Sequence, residues 1–148
     1  MKTILIAAIV VLLFINFPLI LFGISEVCYT AQEKQYYSDS SNFITDKALV
    51  KNIIFHEEDG YIVLWLSEID ESYQVGNFVI EGKNASILLN NGFLEKVKIG
   101  DEITFISAPR YFGDGYMMPI VSISFAGETL LSFSEGYKNL MDTYFWHI

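Results

Sequence analysis

The side chains that could do chemistry fall in a few short stretches. His56-Glu57-Glu58-Asp59 sets an imidazole beside three carboxylates. Both group types ligate divalent cations. Their spacing matches neither a calcium loop nor a zinc site, and with Gly60 following, the run reads first as a solvated turn. A second stretch is Pro109-Arg110-Tyr111-Phe112-Gly113-Asp114-Gly115-Tyr116-Met117-Met118-Pro119. Its rings could stack on sugars, bases or peptide side chains, and Arg110 could fork onto a carboxylate. Arg110, Tyr111, Phe112, Asp114 and Tyr116 are the candidate ligand-binding residues. The same rings could instead fold back to cap a core, with Gly113-Asp114-Gly115 merely turning the chain. Exchanging Tyr111 and Phe112 for alanine separates these readings, by lost binding or by lost folding. A third stretch, Asn84-Ala85-Ser86, fits an N-glycosylation acceptor. Asn84 also stands where a helix N-cap is expected.

Other chemistry lacks its parts. Hydrolysis needs a nucleophile with a base, or two carboxylates held across a cleft. No such constellation is legible, and no phosphate-cradling glycine loop either. His147 is the penultimate residue. Cys28 is the only cysteine, so no intrachain disulfide forms. Glu26-Val27 before it is a poor lipoprotein signal, which calls for small residues there. No catalytic residue, metal site or cofactor is therefore expected. The net charge of −9 repels phosphate backbones, and the nine lysines and arginines are scattered singly. No nucleic-acid partner is expected.

The elements that must position these residues begin with a greasy segment. From Ile4 to Gly23 the chain has no charge. Twenty helical residues span roughly 30 Å, the thickness of a bilayer core. Insertion is favoured by roughly 6 kcal/mol at a few tenths per apolar residue. Asn16 and Pro18 offset part of that, and Pro18 would kink the helix. Residues 1–25 therefore read as a membrane anchor, with a cleaved signal peptide as the rival. Lys2 precedes the segment and Glu26 and Glu33 follow it, so positive charge stays inside and the C-terminal part faces out. The localisation expected is the cell membrane, single-pass, with an extracytoplasmic domain, secreted if cleavage occurs. Residues 26–46, rich in Ser, Tyr, Gln and Asp, read as a tether.

Beyond it come β runs at Ala48–Phe55 and Tyr61–Leu66, a hairpin about Asp59-Gly60. Asn77–Glu81 is a third strand, and a helix follows from Asn84, ended by Gly92. Glu102–Ser107 and Ile120–Phe125 are the fourth and fifth strands. The latter alternates Val121, Ile123 and Phe125 with Ser122 and Ser124. Thr129–Leu131 suggests a short sixth. Ser132 and Glu135 have capping-box spacing. Phe133, Tyr137, Leu140, Met141, Tyr144 and Phe145 then form an apolar stripe, which would pack on its own domain or meet a partner.

Three strands, a helix and two strands resemble the OB-fold, a five-stranded Greek-key barrel. Val97-Lys98-Ile99-Gly100-Asp101-Glu102-Ile103 is similar to the junction from helix to fourth strand in many such domains. Gly100 would supply a positive φ and Asp101 would bond nearby amides. The resemblance covers roughly residues 47–131. It implies ligand binding over strands two and three, aided by the loops joining strands one to two and four to five. Membrane-tethered OB domains of the NfeD type have a similar layout. Nucleases of this class gather arginines and carboxylates about a metal, whereas Arg110 is the only arginine here.

The fold expected is mainly β with minor α: an N-terminal transmembrane helix (1–25), a tether (26–46), an OB-like barrel with an inserted helix (47–131) and a C-terminal amphipathic helix (132–148). The function expected is a non-catalytic, membrane-anchored, extracytoplasmic module that contacts a protein or glycan at the cell envelope. Alternatives are an accessory subunit docking through the C-terminal helix, and a secreted metal-dependent hydrolase.

Overall fold

A computed structural model describes residues 30–112 and 117–145. The chain forms two compact units, Met1–Gln35 and Tyr36–Ile148. In the first, the described residues 30–35 are helical. The anchor expected over residues 1–25 lies outside the described residues. Among those described, no helix is long and apolar enough to cross a membrane.

The second unit is a closed five-stranded mixed barrel of OB-like topology, extended by one more strand. The strands are β1 (Ile44–His56), β2 (Tyr61–Ser67), β3 (Asn77–Ile80), β4 (Glu102–Ser107), β5 (Met118–Phe125) and β6 (Glu128–Leu131). They lie in the order β3-β2-β1-β4-β5-β6, and a β3–β5 pairing closes the ring. That seam is parallel and short: Phe78 faces Met118 and Val79 faces Pro119. β1 is long enough to serve both sides of the barrel. Ile44–Leu49 pairs with β4, Leu49–His56 pairs with β2, and an irregularity between Val50 and Asn52 bends the strand. A bulge of this kind lets one strand turn a barrel's corner.

Alternation explains the core. Ile62, Leu64 and Leu66 of β2, Phe78 and Ile80 of β3, and Ile103 and Phe105 of β4 point inward and are buried. Phe78 meets Phe105 edge-on, with centroids 5.1 Å apart at 71°. Such a pair adds about 1 kcal/mol beyond the area it buries.

Between β3 and β4 the chain forms α1 (Gly82–Asn90) and the single turn α2 (Phe93–Lys96). Gly92 joins them at φ 75°, the left-handed conformation expected for it. The next turn is also as expected: Gly100 has φ 95° and the Asp101 carboxylate accepts the Lys98 amide at 2.8 Å. Asn84 differs from expectation. The helix begins two residues earlier, at Gly82, with Glu81 at the cap position. Asn84 thus lies inside the first turn and is buried. Its Nδ2 donates to the Gly136 carbonyl at 2.9 Å, and its Oδ1 accepts from Asn139 Nδ2 at 2.9 Å. It ties α1 to α3 (Phe133–Phe145), the C-terminal helix. With 5% of its surface exposed, the acceptor pattern is closed to a glycosylating enzyme in this fold.

The exposed edge at β6 is partly covered. Asn91 Nδ2 donates to the Leu130 carbonyl at 2.7 Å, and Lys96 meets Glu128 at 2.7 Å. The ion pair is solvated and adds less than about 1 kcal/mol. α3 lies on β5 with Gly136 against the Val121 backbone, where a Cβ would fall 2.0 Å from the Val121 carbonyl oxygen.

The stretch before Lys47 is more ordered than a tether. Residues 36–38 are helical, Ser40–Asn42 is a 3-10 turn, and β1 opens at Ile44. Asp39 Oδ1 accepts the Ser41 amide and hydroxyl, which lowers its carboxyl from the usual range. Tyr37 is 1% exposed. Its ring packs beside Phe43 at 5.9 Å and Phe112 at 5.6 Å. Phe43 in turn meets Phe133 and Tyr137 of α3 at 6.3 and 5.4 Å. The front of the α3 stripe therefore packs on its own domain.

Candidate functional site

Arg110 lies in the loop between β4 and β5 and is exposed. Its guanidinium carbon stands 5.6 Å from the Tyr36 ring centroid and 5.4 Å from that of Phe112. Each contact contributes about 0.5–1 kcal/mol at an exposed site. Burial raises the Tyr36 phenol above its ordinary value, against the opposing pull of Arg110. The Arg110 carbonyl accepts the Tyr37 hydroxyl at 2.9 Å. Next along the loop, the Tyr111 amide donates to Gln74 Oε1 at 3.0 Å, while its half-buried ring packs against the core. Phe112 lies among Tyr36, Tyr37 and Arg110, with its centroid 5.5 Å from that of Tyr36.

The loop's first residues are thus clamped. The Tyr111 and Phe112 rings are half-buried, Tyr111 against the core and Phe112 beside Tyr36 and Tyr37. Arg110 keeps its N–H edges toward solvent, and no carboxylate pairs with it among the described residues. Asp114 and Tyr116 lie outside the described residues.

Strand alternation brings a second set of residues into view. With Ile62, Leu64 and Leu66 inward, Tyr61, Val63 and Trp65 lie on the other face, where Trp65 is exposed, Tyr61 half-buried and Val63 buried. Trp65 is 47% exposed, the most exposed aromatic among the described residues. Register sets Val63 between Ile54 of β1 and Val79 of β3, and Trp65 between Asn52 and Asn77. At the far end the His56 ring lies flat on Tyr61, centroids 4.2 Å apart at 16°. The outer face of β1–β2–β3 is therefore an apolar rung with an indole at one end and a stacked imidazole–phenol pair at the other. Tyr61 and Trp65 are about 13 Å apart along the strand, room for a short extended chain.

Trp65 sits at the end where β2 leaves for the 68–76 loop. Gln74 of that loop holds Tyr111, so Arg110 and Trp65 flank the same end of the barrel. The resemblance places ligands on this face and on the loops joining β1 to β2 and β4 to β5, and Arg110 belongs to the second of these loops. Trp65, Val63 and Tyr61 were not among the candidates read from sequence. Tyr61–Leu66 is apolar at every position, so only the strand period itself could have marked Tyr61, Val63 and Trp65 as sharing the face opposite Ile62, Leu64 and Leu66.

The acidic hairpin reads as a turn. Glu57, Glu58 and Asp59 are exposed, and the Gly60 amide closes onto the His56 carbonyl at 2.8 Å. Among the described residues, no three His, Cys, Asp or Glu side chains are placed to share a metal ion. A cleft of about 190 Å³ opens between the start of α1, β5 and α3. Its Asn84 and Asn139 side chains bond each other.

Tyr73, from the 68–76 loop, is buried against Phe78 and Phe105, and its hydroxyl has no hydrogen-bond partner. Burial first, then the nearby Asp46 and Asp70 charges, push its phenol well above the ordinary value of 10.0. In the folded state the proton is held more tightly than in the unfolded chain. The stability tied to that proton is full below about pH 10 and is lost as pH rises beyond it. Tyr73→Phe should raise stability by about 1 kcal/mol at neutral pH, because it removes an unpaired buried hydroxyl. It should also flatten the alkaline loss. Urea midpoints of both proteins at pH 7 and above pH 10 check this, and a destabilised phenylalanine variant would mean that the hydroxyl does have a partner.

Compared with family models, curated proteins and solved structures, the chain matches none.

Proposed function

We propose that this protein is a membrane-anchored, extracytoplasmic binding module without catalytic activity. Its ligand, a protein or glycan of the cell envelope, lies across the outer face of β2 and β3 and against Arg110. The observation that carries this reading is Trp65, an indole left 47% exposed beside an apolar rung on the outer side of the barrel. Leaving such a ring in water forgoes about 2 kcal/mol of burial. A ligand with an apolar face recovers it.

Charge narrows the choice. The net charge of −9 and the acidic hairpin beside Tyr61 disfavour polyanions. Asn52 and Asn77 flank Trp65 and can donate and accept hydrogen bonds, as hydroxyl-rich sugars or a peptide backbone require. Arg110, held beside the Tyr36 and Phe112 rings, can take a single carboxylate.

Capture from an envelope extract on the immobilised full-length chain tests this. Trp65→Ala and Arg110→Ala should each reduce capture of the same species by about tenfold or more, as expected for centrally placed aromatic and arginine contacts. Trp65 is exposed, so Trp65→Ala should keep a thermal midpoint close to wild type, whereas Arg110→Ala should lose about 1–2 kcal/mol with its two ring contacts and still fold. Equal capture by wild type and both variants would remove the face from consideration. A reporter fused at the C-terminus checks the location separately, and a cytosolic reporter would overturn the envelope-facing part.

A further inference from the structure

β1 outlasts one of its partners. β4 pairs with it only over Ile44–Leu49. Just beyond, the Val50 amide donates to the Asp101 carbonyl at 2.9 Å and the Gly100 amide donates to the Val50 carbonyl at 2.8 Å, and there the neighbouring chain turns away. From Asn52 to His56, β1 has β2 on one side and, among the described residues, no strand on the other.

The open side can be assigned. The His56 carbonyl closes the hairpin toward Gly60. Alternation then turns the backbone groups of His56, Ile54 and Asn52 toward β2, and those of Ile53 and Phe55 away from it. The Ile53 amide fits this assignment, because it donates to the neighbouring Asn52 Oδ1 at 3.0 Å. Such an edge is a template for another strand. Two of the exposed large apolar side chains stand along it: Phe55, 36% exposed, and Ile99, 66% exposed, on the turn where the β4 line ends.

The sequence of this edge is complementary to itself. Lys51-Asn52-Ile53-Ile54-Phe55-His56-Glu57 begins basic and ends acidic, with apolar residues between. We infer that two copies of this chain pair edge to edge through β1, antiparallel, about a twofold axis at Ile54. In that register Lys51 faces Glu57 of the second copy, Asn52 faces His56, and Ile53 faces Phe55. The register joins the residues whose backbone groups point outward, and each pair occurs twice, as a twofold interface requires. Past Lys51, the turn bearing Lys98 and Ile99 comes alongside the other copy's Glu58 and Asp59. Opposite charges therefore meet at both ends of the interface, although the chains as a whole repel. Lys51, Lys98, Glu57, Glu58 and Asp59 are all exposed, Lys98 with its Nζ donating to the Leu94 carbonyl at 2.6 Å.

Disulfide trapping on the purified full-length chain in detergent tests the pairing and its register. In a Cys28→Ser background, Ile54→Cys places the thiols of the two copies across the axis, within reach of a bond. Ser86→Cys, on the exposed side of α1, is the control. Ile54→Cys should form the covalent dimer at least tenfold faster. Sedimentation of wild type should show a dimer. Lys51→Glu should weaken it at least tenfold, by setting glutamate against glutamate, and adding Glu57→Lys should restore it. A monomeric wild type overturns the inference. So does a dimer in which Ile54→Cys is no faster than the control, or one that the charge exchange fails to restore.

Discussion

Gly136→Ala should destabilise the domain by about 3 kcal/mol, toward the upper end of what overpacking does. In an ordinary helix interior the same change helps by nearly 1 kcal/mol, because alanine is the better helix former. Here the new methyl would fall 2.0 Å from the Val121 carbonyl oxygen and 2.8 Å from its carbonyl carbon. Both are backbone atoms of a barrel strand, so no side chain can swing away to make room. α3 would have to lift off β5. That movement would stretch the bond from Asn84 Nδ2 to the Gly136 carbonyl and separate Phe133 and Tyr137 from Phe43. Ser134→Ala, on the exposed side of the same helix, should leave stability unchanged. Urea denaturation followed by circular dichroism compares the three proteins. A glycine variant as stable as wild type would mean that α3 does not seat on β5 at this point.

Tyr37→Ala should be at least as damaging, at about 3–5 kcal/mol, the range for removing a fully buried aromatic ring. The ring joins the chain before β1 to the β4–β5 loop and, through Phe43, to α3. Its hydroxyl also holds the Arg110 carbonyl. Tyr37→Phe isolates that bond and should lose only about 1 kcal/mol. The two losses together separate packing from hydrogen bonding in one experiment. If Tyr37→Ala folds as stably as wild type, the residues before Ile44 are dispensable and the domain does begin near Lys47. The same logic applies to Phe112. Its alanine variant should lose several kcal/mol, whereas Arg110→Ala should lose only the two ring contacts, about 1–2 kcal/mol, which distinguishes the wall of this corner from the group it presents.

Much of the barrel was legible in the sequence, and the reason is geometric. Each strand has one face in the core, so its apolar residues recur every second position. Ile120–Phe125 shows this in its sequence, Tyr61–Leu66 announces a strand by an unbroken apolar run, and Asp59-Gly60 and Gly100-Asp101 mark the turns by local backbone chemistry alone. Tyr37 was not legible. Its ring partners are Phe43, Phe112 and, one step away, Phe133, which are scattered along the chain, so no local pattern announces them. Asn84 misled for a related reason. Its side chain suits a cap, but its partners lie on α3, and that long-range pairing overrode the local preference. For the candidate site, sequence found the guanidinium and missed the indole. Arg110 stood out as the only arginine, in a loop of aromatic residues. Trp65 was concealed inside a strand whose apolar character was credited wholly to the core.

The ring of strands is closed by only two residue pairs, Phe78 with Met118 and Val79 with Pro119. Every other neighbouring pair of barrel strands comes together over more residues. Thermal breathing should therefore part the wall here first, long before the molecule melts. For a moment the barrel would become a curled open sheet, with Phe78 and Met118 wetted. The Leu66 amide bonds the Gly76 carbonyl, so alternation turns the Phe78 amide toward β2 and the Val79 amide toward the seam, and amide exchange at Val79 should outpace exchange at Phe78, Leu64 and Phe105.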